Sequence, residues 1–181
     1  MIIICATLWC MYACGSSSNI EDYNVAVYTP TYATGFRIMG AEGKQSTIIS
    51  VTNPWQSANN IETMLFIARA GEKAPYGFQG QVLQGNAHRI VCMSSSHVAM
   101  LDAIGVVENV VGVSGKDFIT NPYIVANRHS IADVGYDGNI NFELLVAQRP
   151  DIVLLYGVTG ACRGNTQRTW CAYLFPEGRK H

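Results

Sequence analysis

The chain has 181 residues, with 49% hydrophobic and 14% charged side chains and a net charge of -1. That length is enough to bury the core of one domain or a little more. A charge so close to zero provides no basic face for phosphates, which excludes nucleic acid as an expected partner.

Residues 1–12 are apolar apart from Thr7 and run into Ala13, Cys14, Gly15 and the serines at 16, 17 and 18. About a dozen apolar residues are too few for a mature membrane-spanning helix but suit the core of a signal peptide. A small residue before Cys14, then Gly15 and a serine run, resembles the lipobox of bacterial lipoproteins. The resemblance implies lipidation at Cys14, with residues 1–14 as the signal and residues 15–22 as a linker. A buried N-terminal strand is the alternative. Among the other cysteines, Cys92 reads as a small core residue, while Cys162 and Cys171 lie in the last part of the chain. No Cys-x-x-Cys occurs, so neither a zinc nor a redox site is expected.

Residues 23–70 alternate with a period of two. Tyr23, Val25 and Val27 share one face, Phe36 and Ile38 alternate with Arg37 and Met39, and an apolar stretch follows at 47–51. Met64, Phe66 and Ala68 then oppose Thr63, Leu65 and Ile67. Such runs predict a small antiparallel sheet of hairpins. Residues 71–87, punctuated by glycines and Pro75, read as a loop.

From 88 to 160 the pattern changes. Residues 88–93 form a strand, and Ser94, Ser95 and Ser96 supply caps for a helix from about His97 to Ile104. Val98, Leu101 and Ile104 lie on its apolar side, with Gly105 as its stop. Residues 110–113 are a second strand, 122–127 a short helix and 133–138 a turn-rich loop. Asn139 or Asn141 caps a helix over 142–148, which Arg149 and Pro150 end. Asp151 then turns the chain into the apolar run 152–156, one strand buried on both faces. This order predicts an α/β fold: a Rossmann-like parallel sheet flanked by helices, preceded by a small antiparallel β-region.

The fragments Arg89-Ile90-Val91-Cys92-Met93-Ser94-Ser95-Ser96-His97, Leu101 to Gly105, Val110-Val111-Gly112-Val113-Ser114, Asn141-Phe142-Glu143 and Arg149-Pro150-Asp151-Ile152-Val153-Leu154 carry a resemblance. In this order they resemble the N-terminal lobe of the periplasmic binding proteins for iron-siderophores, haem and cobalamin. Those proteins deliver ligand to ABC importers. The β-rich segment before Arg89 is similar to the extension of some lipoprotein members. In that family two α/β lobes close around a ligand. The resemblance implies cleft-facing loops at 94–97, 114–117, 135–139 and 156–159, and ligands do bind where parallel strands end.

The ligand contacts implied are Ser95, His97, Lys116, Tyr136, Asp137 and Tyr156. Tyr136 and Tyr156 offer flat faces and hydroxyls to a chelate or macrocycle. Lys116 would meet an anionic group, and the helix start at Ser95 would present backbone N–H groups. Ordinary structural roles stand beside these: caps for the serines, a solvated polar residue for His97, a packed ring for Tyr156 and a loop charge for Lys116. Glu143 matches the carboxylate by which the family docks on its permease, with a helix-dipole carboxylate as the plainer reading. No catalytic residue, resident cofactor or metal is expected. The implied partners are a ferric siderophore, haem or corrinoid, an ABC permease, and a bacterial membrane reached through the lipid anchor. Export to the periplasm or cell surface follows.

Past Gly160 the resemblance stops. Residues 161–171 show no helical or strand period, where the family pattern would continue into a linking helix and a second lobe. Residues 161–181 therefore read as an atypical tail of a truncated or frame-shifted copy. A small α/β enzyme is the alternative from another class, but the chain has no Gly-x-Ser-x-Gly elbow, Walker loop or His-Glu-x-x-His. A non-functional fragment is the third reading.

Overall fold

Period-two alternation in the first part of the chain produces a sheet with a core of its own. The computed structural model describes residues 18–53, 59–136, 139–156 and 170–173. Strands β1 (Val25–Tyr28), β2 (Phe36–Gly40), β3 (Thr47–Thr52), β4 (Glu62–Ala68) and β5 (Gln81–Gln84) lie side by side in chain order. The first four pair antiparallel, as the alternation predicts, whereas β5 runs parallel to β4. Residues 71–87 are therefore not all loop. Four residues between glycines are too few to show a period, and it is pairing with β4 that makes them a strand.

Register decides which side chains meet. Met39 lies opposite Ile48, and Ile48 opposite Phe66, so these three share a face. Tyr23 meets Phe66 edge-on, with ring centroids 5.7 Å apart, and Ala68 completes the cluster. Val25 and Val27 do not join Tyr23 in this core; both are exposed. On the opposite face Leu65 and Leu83 pack into the core of the α/β unit that follows. The two parts of the chain are thus joined by shared apolar packing.

That unit is built from β6 (Ile90–Cys92), α1 (Ser95–Ala103), β7 (Val110–Val113), α2 (Pro122–Ala126) and β8 (Ala132–Asp133). A hairpin of β9 (Gly135–Tyr136) and β10 (Asn139–Ile140) leads to α3 (Phe142–Ala147), then β11 (Ile152–Tyr156) and β12 (Trp170–Tyr173). The sheet order is β12-β11-β6-β7-β8. β11, β6, β7 and β8 are parallel, and β12 closes one edge antiparallel to β11. Two differences from expectation appear. The turn-rich stretch at 133–138 includes strand pairs of two residues each, too short to show a period. The stretch past 160 contributes an edge strand that its sequence pattern does not announce.

Helices cover both faces, which is why the central strands are continuously apolar. Ile90, Cys92, Val113 and Ile152 pack with Val98 and Leu101 of α1 and Ile124 of α2. Val91 and Val153 point the other way and pack with Val134 and Leu145 of α3. Local chemistry sets the helix ends. Ser94 Oγ accepts the Ser96 N–H at 3.2 Å, and Gly105, at φ +72°, closes α1. Asn121 Oδ1 accepts from Tyr123 and Ile124, and Asn141 Oδ1 accepts from Leu144 at 2.9 Å. Asn141, rather than Asn139, is therefore the cap of α3.

One packing expectation is corrected. Ile104 is 70% exposed because it is the C-cap of α1, beyond the last inward turn. The inward stripe of that helix is His97, Val98 and Leu101.

Candidate functional site

Beyond the parallel strands the ladder continues for one more residue. Met93 N–H bonds to Leu154 O at 3.0 Å, Ser114 N–H to Cys92 O at 2.9 Å and Val134 N–H to Val113 O at 2.9 Å. The strands thus reach their carboxyl ends side by side, and the loops that leave them share one edge. Such an edge is where α/β sheets hold ligands. Ser95 is exposed there, on the first turn of α1.

Asp133, the last residue of β8, organises the neighbouring loops. Its Oδ1 accepts the N–H of Gly115 at 3.2 Å and of Gly135 at 3.1 Å, while Oδ2 accepts the N–H of Lys116 at 3.0 Å. Gly115 takes φ +61°, which lets the chain turn back toward this carboxylate. In the sequence Asp133 reads only as part of a turn. Its bond to the N–H two residues on is an Asx turn, a local signal available in Asp-Val-Gly. Its bonds to Gly115 and Lys116 depend on the parallel pairing of β7 with β8.

Lys116 reaches back into its own loop system. Its Nζ donates to the carbonyls of Arg128 at 2.9 Å and Ile131 at 3.0 Å, inside the same loop system. Arg128 in turn donates to Lys116 O at 3.1 Å and pairs with Asp117 at 3.2 Å. Both cationic groups of this corner donate to protein acceptors, which gives Lys116 a bracing role in the loop system.

His97 is also drawn inward. It is 2% exposed, on the buried side of α1, neither a solvated residue nor a contact at the loop surface. Burial lowers its pKa and favours the neutral imidazole.

Tyr136 behaves differently, at 60% exposed beside Gly135. Two further aromatics are exposed at this edge, Phe118 after β7 and Phe142 at the start of α3. Neither stands out in the sequence, because an aromatic reads first as core. The Phe118 ring lies against Gly115, 3.2 Å from where a Cβ would stand. Glu143 is exposed on the first turn of α3.

The remaining expectations fall partly or wholly beyond the described residues. Asp137 and Cys14 lie outside them, as do residues 1–17 and most of the tail. Tyr156 ends β11, where its backbone pairs with Trp170, but its side chain is likewise outside. Among the described residues, no cluster of three or more His, Cys, Asp or Glu forms a metal-binding group, and no helix is long and apolar enough to cross a membrane.

No curated protein matches the chain. A family model described as periplasmic binding protein matches residues 90–157, from the start of β6 to just past β11. The parallel sheet whose strand tips carry Ser95, Phe118 and Tyr136 is thus the part of the chain that is similar to periplasmic binding proteins.

Proposed function

We propose that residues 88–160 form the ligand-binding lobe of a substrate-binding lipoprotein, which captures an iron-siderophore, haem or cobalamin and delivers it to an ABC importer. The observation that carries this reading is the row of adjacent strand tips with exposed aromatics, inside the segment that matches the family. Ser95 and Tyr136 are exposed and available as contacts, and Asp137 and Tyr156 complete the proposed set. Lys116 and His97 support the wall from within. The exposed carboxylate of Glu143 is suited to orient the lobe on a permease, a role in which charge governs encounter more than affinity. Cys14 would carry the lipid anchor.

The test is direct. The full chain is titrated with a ferric hydroxamate, haemin and cyanocobalamin, following intrinsic fluorescence and calorimetric heat. Saturable binding of at least one is expected. Binding of none ends the reading. Turnover of a substrate panel by the same edge would favour an α/β enzyme instead.

A further inference from the structure

We infer that Phe118 and Tyr136 form a two-ring ledge that takes the flat apolar face of a conjugated ligand, and that Asp133 positions both rings. This rests on the capture reading above and specifies what the site recognises.

Both rings stand in water, Phe118 at 80% and Tyr136 at 60% exposure. Each ring could remove a large apolar area from water on contact, so an exposed pair at a ligand edge is a ready source of binding energy. They are also mechanically linked. Phe118 lies over Gly115, and Tyr136 directly follows Gly135. The N–H groups of those two glycines bond to the same oxygen, Asp133 Oδ1. One carboxylate therefore fixes the roots of both rings. Its second oxygen, on Lys116 N–H, holds the turn between Gly115 and Phe118.

The local charges support an apolar-faced ligand over an anion. The Lys116 ammonium donates to two carbonyls, and the Arg128 guanidinium donates to Asp117 and Lys116 O. No cluster of metal-ligating side chains stands here among the described residues. What the loops present outward includes the two rings, beside the exposed Asp117 carboxylate. Because hydrogen bonds hold the loops before anything binds, little ordering cost remains at capture.

Asp133 does not touch the bound molecule in this scheme. It acts through the two loops.

The experiment uses the full chain and protoporphyrin IX, a probe with a flat conjugated ring and no metal, followed by its fluorescence. Saturable binding is expected, weakened about five- to tenfold by Phe118→Ala and by Tyr136→Ala. Phe118→Leu, which keeps apolar bulk but not a flat ring, should weaken it similarly. Asp133→Asn should shift the amide resonances of Gly115, Lys116 and Gly135 and reduce porphyrin affinity. That reduction should shrink in the Phe118→Ala background, since the variant then has only one ring left to misplace. Thermal melts of every variant separate this coupling from general destabilisation.

Ring variants within twofold of the parent overturn the ledge. An equal loss from Asp133→Asn in both backgrounds overturns the positioning role. A parent chain that ignores protoporphyrin IX but binds the ferric hydroxamate or cyanocobalamin overturns the ledge and leaves capture standing. A chain that binds none of the probes overturns both.

Discussion

Asp151 and Arg89 bond to each other reciprocally at the end of the sheet remote from the aromatic loops. Asp151 Oδ2 accepts the Arg89 N–H at 2.9 Å, and Arg89 O accepts the Asp151 N–H at 2.8 Å. The same carboxylate oxygen takes the His88 N–H at 2.8 Å, and Arg89 Nε reaches Gln148 O at 2.7 Å. The entry to β6 is thereby pinned to the entry to β11. Hydrogen bonds to a charged group contribute more than neutral ones, so Asp151→Ala should cost about 1–3 kcal/mol. Asp151→Asn should cost less, since an amide oxygen still accepts. Urea unfolding measures both, and a loss for Asp151→Ala within error of zero would show the contact to be incidental.

Lys116 supplies a second stability prediction with a functional contrast. Lys116→Met keeps the aliphatic stem but leaves the carbonyls of Arg128 and Ile131 without the ammonium. The expected cost is about 1–3 kcal/mol. Binding of an anionic probe such as haemin should change no more than that of neutral cyanocobalamin. A selective loss of haemin at unchanged stability would restore the ammonium to the ligand face.

What could be read from sequence divides along the range of the interaction. The apolar runs of β6, β7 and β11 were legible because both faces of each strand are covered, leaving no polar alternation to confuse them. Ser94 and Asn141 were legible as caps because a cap bonds within three residues of itself. β5 was not legible, since its partner β4 lies across a long connection and its own four residues carry no pattern. Which side of α1 turns inward depends on how the helix crosses the sheet, and a list of apolar residues favoured Ile104 over His97. At the candidate site Tyr136 is named through the family resemblance, and the structure adds its exposure. The bonds of Asp133 to Gly115 and Lys116 were not legible, because they exist only once β7 and β8 lie parallel.

Acid should destabilise the fold in two separable windows. Burial holds the His97 pKa below its ordinary 6.5, so the unfolded chain takes up that proton first. The contribution is fully present above about pH 6.5 and is lost as pH falls toward the folded-state pKa, with a slope of at most about 1.4 kcal/mol per pH unit. For Glu72, burial raises the pKa, but hydrogen bonds from Ser46 and Gln45 and the charge of Lys44 outweigh it and hold the group below its ordinary 4.5. That contribution is present above pH 4.5 and disappears as pH falls through the lowered value. Urea midpoints across pH should therefore decline in the upper window for the parent and not for His97→Gln. The lower window should persist in both and weaken in Glu72→Gln. A His97→Gln profile that tracks the parent between pH 6.5 and 4.5 would remove His97 as the cause.

Gly135 separates conformational strain from collision. Its φ of +81° is one that side chains rarely adopt, and a Cβ there would strike the carbonyl oxygen of Asn139 and stand 3.3 Å from the Asn141 amide nitrogen. Gly85 has a similar φ of +71° but nothing within 4 Å of the same position. Gly85→Ala should then cost only the backbone term, about 1–2 kcal/mol. Gly135→Ala should cost that and about 1–3 kcal/mol more, because the hairpin of β9 and β10 must shift to make room. The shift moves the root of Tyr136 and pulls the Gly135 N–H away from Asp133, so protoporphyrin IX affinity should fall for Gly135→Ala and hold for Gly85→Ala. Denaturation midpoints and porphyrin titrations of the two variants check both halves. Equal behaviour of the pair would mean that strain alone governs the turn and that the hairpin does not set the ring.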